Sequence, residues 1–155
     1  MLAEMVKVPG LDGEKMGKSE ADNAIDINAP MAEIRERYKR KGVTDQQRKH
    51  VTDPGDPYNR CKSVYAVHEM ITEGERETRE IAKACMNAQI SCVACKTKLC
   101  DSIAKILVPF QERRAELADR NDFVREVLHE GGKTARARVK ETLAAVQDKM
   151  GVIIY

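Results

Sequence analysis

Apolar and polar residues alternate with period two in only two short stretches of this chain, Ala24–Asn28 and the tail Val152–Tyr155. A half-buried strand is built on that alternation, so the chain has almost nothing from which to make a sheet of its own. Its apolar residues recur instead at the three- and four-residue intervals of helix faces, and they are mostly Ala, Val, Ile, Leu and Met, with only 4% aromatic residues. With 155 residues there is room for one domain and an appendage. The expected fold is mainly α, a helical bundle preceded by an irregular loop.

The punctuation along the chain sets the expected elements. Residues 1–28 hold the turn string Pro9-Gly10-Leu11-Asp12-Gly13 and read as loop. Asn28 can cap and Pro30 can open a helix carrying Ile34 and Tyr38 that ends near Gly42. Asp53-Pro54-Gly55-Asp56-Pro57 marks an ordered turn, since two prolines oppose both helix and central strand. Val64, Val67 and Met70 predict a short helix from Cys61, broken by Gly74, and another is expected over about Thr78–Ala88. A further helix is expected to start after Cys100, capped by Asp101 or Ser102 and kinked at Pro109. Asp122 should cap a helix that Gly131-Gly132 stops, before a last helix closed by Gly151.

Charge and hydropathy narrow the function. Lys and Arg number 27 against 25 acids, a net charge of +2 that exerts no global pull on nucleic acid, so any basic surface must be local. No apolar run approaches the roughly 18 residues of a membrane span, and the expectation is a cytoplasmic chain. Residues 31–50 carry seven Lys or Arg against three acids, a local excess able to touch an RNA backbone or to serve as a solvated helix face. Tyr58, Tyr65, Lys96 and Lys98 are candidates for stacking on or neutralising unpaired bases. His50, His68 and His129 stand singly and are assigned surface or packing roles.

Lys15-Met16-Gly17-Lys18-Ser19 places two lysines three apart in a glycine-bearing loop, which lets both ammonium groups reach one phosphate chain. With its flanks, Pro9 to Ser19 and then Asn23-Ala-Ile25-Asp-Ile27, it resembles the KMSKS signature loop of class I aminoacyl-tRNA synthetases, in the form seen in the tryptophanyl-tRNA synthetase family. Gly17 stands where Ser is commonest. Val43-Thr44-Asp45, Asp53 to Pro57, Leu107 to Arg114, Val127 to Arg136 and Asp148 to Gly151 resemble successive landmarks of that family's C-terminal region. The resemblance implies a Rossmann catalytic domain mostly absent from this chain, with residues 1–28 ending that domain and residues 29–155 forming the helical anticodon-binding domain. It also implies ATP with Mg2+, tryptophan and tRNA(Trp) as partners of the intact, homodimeric ligase, and it gives Lys15 and Lys18 the catalytic role and Lys15, Met16, Gly17, Lys18 and Ser19 the ATP contacts. By the same reading the fragment alone is inactive.

Four of the five cysteines fall within sixteen residues, and Cys61, Cys85, Cys92 and Cys95 have the spacing C-x23-C-x6-C-x2-C. Two thiolates three apart can hold one tetrahedral metal or part of an iron cluster with little strain, and spacing leaves zinc and iron–sulfur open. No His adjoins the pair, which favours an all-sulfur site of either kind. The resemblance implies a four-iron four-sulfur cluster, because iron–sulfur bacterial members of the family carry a similar C-x22-C-x6-C-x2-C pattern. Cys100 lies outside it, and its expected role is helix packing, with substitution for a neighbouring ligand as the alternative. Rival readings are a stand-alone helical RNA-binding module with a structural zinc, and a helical interaction domain without metal.

Overall fold

The computed structural model describes residues 7–17 and 19–151. Lys18 and the alternating tail Val152–Tyr155 lie outside the described residues. Five helices follow one another: α1 Met31–Lys41, α2 Val64–Ile71, α3 Glu75–Met86, α4 Cys92–Ala118 and α5 Asn121–Met150. Among the described residues the sole β feature is an isolated antiparallel bridge between Pro9 and Lys15. Ala24–Asn28, the other alternating stretch, forms turn and irregular backbone.

α1 buries Ile34 and Tyr38, four apart on one face, and ends with Lys39, Arg40 and Lys41 in the last turn, where cations complement the helix dipole. Its cap position is Pro30 and not Asn28, whose backbone and side-chain amides both bond the Asp26 carboxylate at 2.8 and 3.2 Å. Asp45 binds the 43–57 segment together: its carboxylate accepts from the amides of Gln47 and Asp56, both at 2.9 Å, and it is 5% exposed. The turn expected there is therefore ordered by side chain to backbone bonds.

Two expectations about helix ends are overturned. The helix expected after Cys100 begins at Cys92, so Cys100, Asp101 and Ser102 lie inside it; Ser91 caps it, its hydroxyl accepting from the Ala94 amide at 3.0 Å. No residue between Ser91 and Pro109 breaks a helix, and α4 continues through Pro109 to Ala118. Gly131-Gly132 likewise does not stop α5, which runs 30 residues to Met150 before Gly151 closes it in a left-handed conformation. Two glycines cost about 2 kcal/mol against alanine in a helix interior, and Ala, Arg, Lys, Glu and Leu on the C-terminal side offset this. Asp122 falls in the first turn, after Arg120 at the cap position.

The chain divides into two compact units, residues 1–111 and 112–155. The core lies in the first, where Leu11, Ile34, Val64 and Leu99 are 0 to 2% exposed. Burying each such side chain contributes about 1.5 to 3 kcal/mol. In the second unit α5 has no buried residue.

Candidate functional site

The Lys15 loop is a compact hairpin held by one buried amide side chain. Met16 donates to the Val8 carbonyl at 2.9 Å, Gly13 turns with φ +90°, and the Asp12 carboxylate takes the Glu14 amide at 2.8 Å. Asn23, 6% exposed, accepts from the Asp12 amide at 3.0 Å and donates to the Lys15 carbonyl at 3.5 Å, so it bridges both legs. A β-carbon on Gly10 would overlap the Asn23 side chain, which is why glycine stands there. The Lys15 and Ser19 side chains are exposed, with Met16 and Gly17 half-buried between them. At Gly17 a β-carbon would meet only Ser19 Oγ, at 3.7 Å, so the commoner Ser fits without displacement.

Cys61, Cys85, Cys92 and Cys95 come from three places: the turn before α2, the last turn of α3 and the first turn of α4. Their thiols are electrostatic neighbours. Burial pushes Cys95 up to about 12, and Cys61, Cys85 and Cys92 add to the rise. Burial likewise pushes Cys61 up to about 11, opposed by the Tyr65 amide and reinforced by Cys85 and Cys92. Cys85 is raised by burial too, with the Arg48 guanidinium pulling the other way. As free thiols Cys61, Cys85 and Cys95 stay protonated, and added positive charge would be needed to hold them together as thiolates. All five cysteines are free.

Donors already converge on this site. The Tyr65 amide donates to Cys61 Sγ at 3.3 Å, and Arg48 Nη1 lies 3.8 Å from Cys85 Sγ. Arg48 Nε is buried with no partner, an orphan donor beside the thiols. Gly55 donates its amide to the Cys85 carbonyl at 3.1 Å, and a β-carbon there would come within 2.6 Å of Cys85 Sγ. Electron-rich sulfur ligands are stabilised by such N–H contacts, so the donor set suits an anionic sulfur-ligated group. No three His, Cys, Asp or Glu among the described residues are gathered so as to hold a metal ion. Cys100 stands apart, 2% exposed, with Arg35, Asp101 and Lys96 around it.

The local basic excess is largely committed inside the molecule. Arg37 donates to the carbonyls of Ala21, Asp22 and Ala24, Arg35 pairs with Asp101 at 2.7 Å, and Lys41 pairs with Asp22 at 2.6 Å. Arg40 pairs with Glu36 at 2.6 Å and Lys96 donates to the Lys39 carbonyl at 3.0 Å. Tyr58 is 55% exposed and meets Tyr65 edge-on at 5.3 Å, whereas Tyr65 is buried with its hydroxyl on the Thr78 carbonyl. Of the two tyrosines, Tyr58 alone offers a ring to a ligand.

His68 was not legible as part of this site from sequence. It is 0% exposed, with Nδ1 2.8 Å from Thr72 Oγ1 and Nε2 3.2 Å from the Cys95 carbonyl. The available signal was the series Cys61, Tyr65, His68, Thr72, whose steps of four, three and four follow one face of α2 from the turn before it to its C-cap.

Comparison with known proteins supplies the family. The family model described as tRNA synthetases class I (W and Y) matches residues 2–108. Tryptophan–tRNA ligases of Aquifex aeolicus, Ralstonia nicotianae and Deinococcus radiodurans are 33%, 35% and 36% identical over 97 to 98% of this chain. The chain spans only 37 to 44% of those relatives' length. Among solved structures, tryptophanyl-tRNA synthetase of Campylobacter jejuni matches 96% of the chain and 44% of its own at TM-score 0.76 and 23% identity, a likeness of fold. The Aeropyrum pernix enzyme matches 68% of the chain and 29% of its own at TM-score 0.61 and 27% identity. The chain therefore belongs to the class I tRNA synthetases of the tryptophan and tyrosine group.

Proposed function

We propose that this chain is the C-terminal portion of a tryptophan–tRNA ligase, supplying its ATP-phosphate loop and its anticodon-binding helices. The observation that carries this reading is the match of 97 to 98% of the chain to relatives named tryptophan–tRNA ligase, with the Lys15–Ser19 loop inside the matched span. In the intact, homodimeric enzyme ATP and Mg2+ bind with tryptophan, whose carboxylate attacks the α-phosphate and expels pyrophosphate. Lys15 and Lys18 neutralise the charge that grows on the phosphates, an effect worth on the order of 3 kcal/mol per well-aimed donor. Met16, Gly17 and Ser19 shape the backbone beside them. Residues 29–155 then hold tRNA(Trp) by its anticodon arm, with Tyr58 offering a stacking face.

In this reading Cys61, Cys85, Cys92 and Cys95 hold a four-iron four-sulfur cluster whose work is to fix the anticodon surface. The thiols influence one another's ionisation, and the N–H donors of Tyr65 and Arg48 beside Cys61 and Cys85 support an electron-rich sulfur-ligated group. The 155-residue chain should bind a tRNA(Trp) transcript more tightly than the same transcript with its anticodon changed. Equal affinities would sink the anticodon assignment. Anaerobic reconstitution with iron and sulfide should give absorbance near 400 nm that Cys61→Ser abolishes and Cys100→Ser leaves intact; the reverse pattern would exclude Cys61 as a ligand.

A further inference from the structure

His68 sits in a hydrogen-bonded chain that joins α2 to α4 entirely out of solvent. Its Nε2 lies 3.2 Å from the Cys95 carbonyl, its Nδ1 lies 2.8 Å from Thr72 Oγ1, and Thr72 Oγ1 lies 3.5 Å from Ser102 Oγ. The three side-chain owners are 0%, 9% and 8% exposed. The direction of the chain follows from its fixed end. A carbonyl only accepts, so the proton must be on Nε2. Nδ1 of the neutral ring is then a bare acceptor, and Thr72 must give it its single hydroxyl proton. Ser102 Oγ lies beyond it, 3.5 Å from the Thr72 oxygen. No carboxylate bonds either nitrogen of this fully buried ring, so the geometry calls for the neutral form.

α2 bonds two cysteine-bearing segments, one of them through this chain. Cys61 is held to α2 through the Tyr65 amide at 3.3 Å, and Cys95 is held to α2 through His68. One helix therefore contacts both sides of the thiol site, through the Tyr65 amide and through the His68 ring three residues along. We propose that His68, locked as the Nε2–H tautomer by Thr72, is a positioning residue that sets the spacing between Cys61 and the Cys92–Cys95 turn. This rests on the thiol-cluster reading for its purpose, although the lock itself is a property of the metal-free chain. The ring binds no metal in this role: both its nitrogens are engaged, one donating and one accepting.

The test uses the full 155-residue chain and three variants. His68→Gln keeps an N–H donor near the Nε2 position, His68→Leu removes it, and Thr72→Val removes the donor to Nδ1 at equal volume. Two-bond proton–nitrogen correlation on the metal-free parent should show the Nε2–H tautomer at His68, and Thr72→Val should mix the tautomers. Alkylation of Cys95 in the metal-free chain should quicken on the order of tenfold in His68→Leu, the effect expected from one buried hydrogen bond, and stay near the parent rate in His68→Gln. After anaerobic reconstitution, loss of iron to a chelator should follow the same order. Circular dichroism identifies a His68→Leu chain that has not folded, and Thr72→Val then carries the test. A parent that takes up no iron would refute the cluster reading while the tautomer and alkylation results still decide the lock. An Nδ1–H tautomer in the parent, or a His68→Gln chain that behaves like a folded His68→Leu chain, would overturn the proposal.

Discussion

Tyr38 lies on α1 with 3% of its surface exposed, and burial pushes its phenol up to about 12, with the Cys100 thiol adding to the rise. The unfolded phenol ionises near 10, so above that pH the unfolded chain loses a proton that the folded chain keeps. Stability is therefore complete below pH 10 and falls as pH rises toward 12, by about 1.4 kcal/mol at pH 11 for a two-unit difference. Tyr38→Phe should remove this part of the alkaline loss. Urea midpoints of parent and variant at pH 9 and pH 11 check it, and equal declines in both chains would refute it. Residues of this kind differ in how far sequence exposes them. That Cys61, Cys85, Cys92 and Cys95 neighbour one another was legible in their spacing, since the C-x6-C-x2-C run sits across one helix junction and the structure brings Cys61 beside it. His68 was not, because its partner Cys95 is 27 residues away and a lone histidine carries no local mark. Arg37 was read as part of a basic surface, yet its three carbonyl partners at Ala21, Asp22 and Ala24 make it an internal clip.

At the scale of elements, local chemistry located the helices better than it ended them. α1 matched its pattern because Ile34 and Tyr38, the basic last turn and Gly42 all agree. α4 and α5 did not, because Asp101 or Ser102 reads as a cap and Gly131-Gly132 as a stop where the helices continue through them. Gly131 and Gly132 show why. A β-carbon at either would meet nothing within 4 Å, and neither has a positive φ, so nothing in the folded unit requires glycine there. Gly131→Ala and Gly132→Ala should each stabilise α5 by about 0.5 to 1 kcal/mol, mainly by reducing the freedom of the unfolded chain. Helical ellipticity on heating would show the gain as a higher midpoint for each variant and a nearly additive shift for the pair. A lowered midpoint would mean that the glycines serve a contact this chain does not contain.

Over the whole molecule, every buried hydrophobic residue among those described lies between Leu11 and Ile103, inside the first compact unit. The mainly helical class followed from the missing alternation, whereas the division at residue 111 did not, since α4 crosses it without any break in sequence pattern. The same distribution bears on activity. Adenylate formation has two requirements of different size. Holding ATP and tryptophan in line for attack is worth about 7 to 11 kcal/mol, while a cation or donor aimed at the developing charge is worth about 3 to 4. In the proposed reading the described residues supply Lys15 to a phosphate loop, and among them there is no strand layer to seat either substrate. On that reading the described residues supply the smaller contribution and not the larger, and the expected rate is about 10⁵-fold below that of an enzyme that holds both substrates. Tryptophan-dependent exchange of labelled pyrophosphate into ATP by the 155-residue chain should equal the protein-free background, and Lys15→Ala should change nothing in that assay. Exchange above background that Lys15→Ala removes would show that the chain seats both substrates by itself, and the partition of roles proposed for it would have to be abandoned.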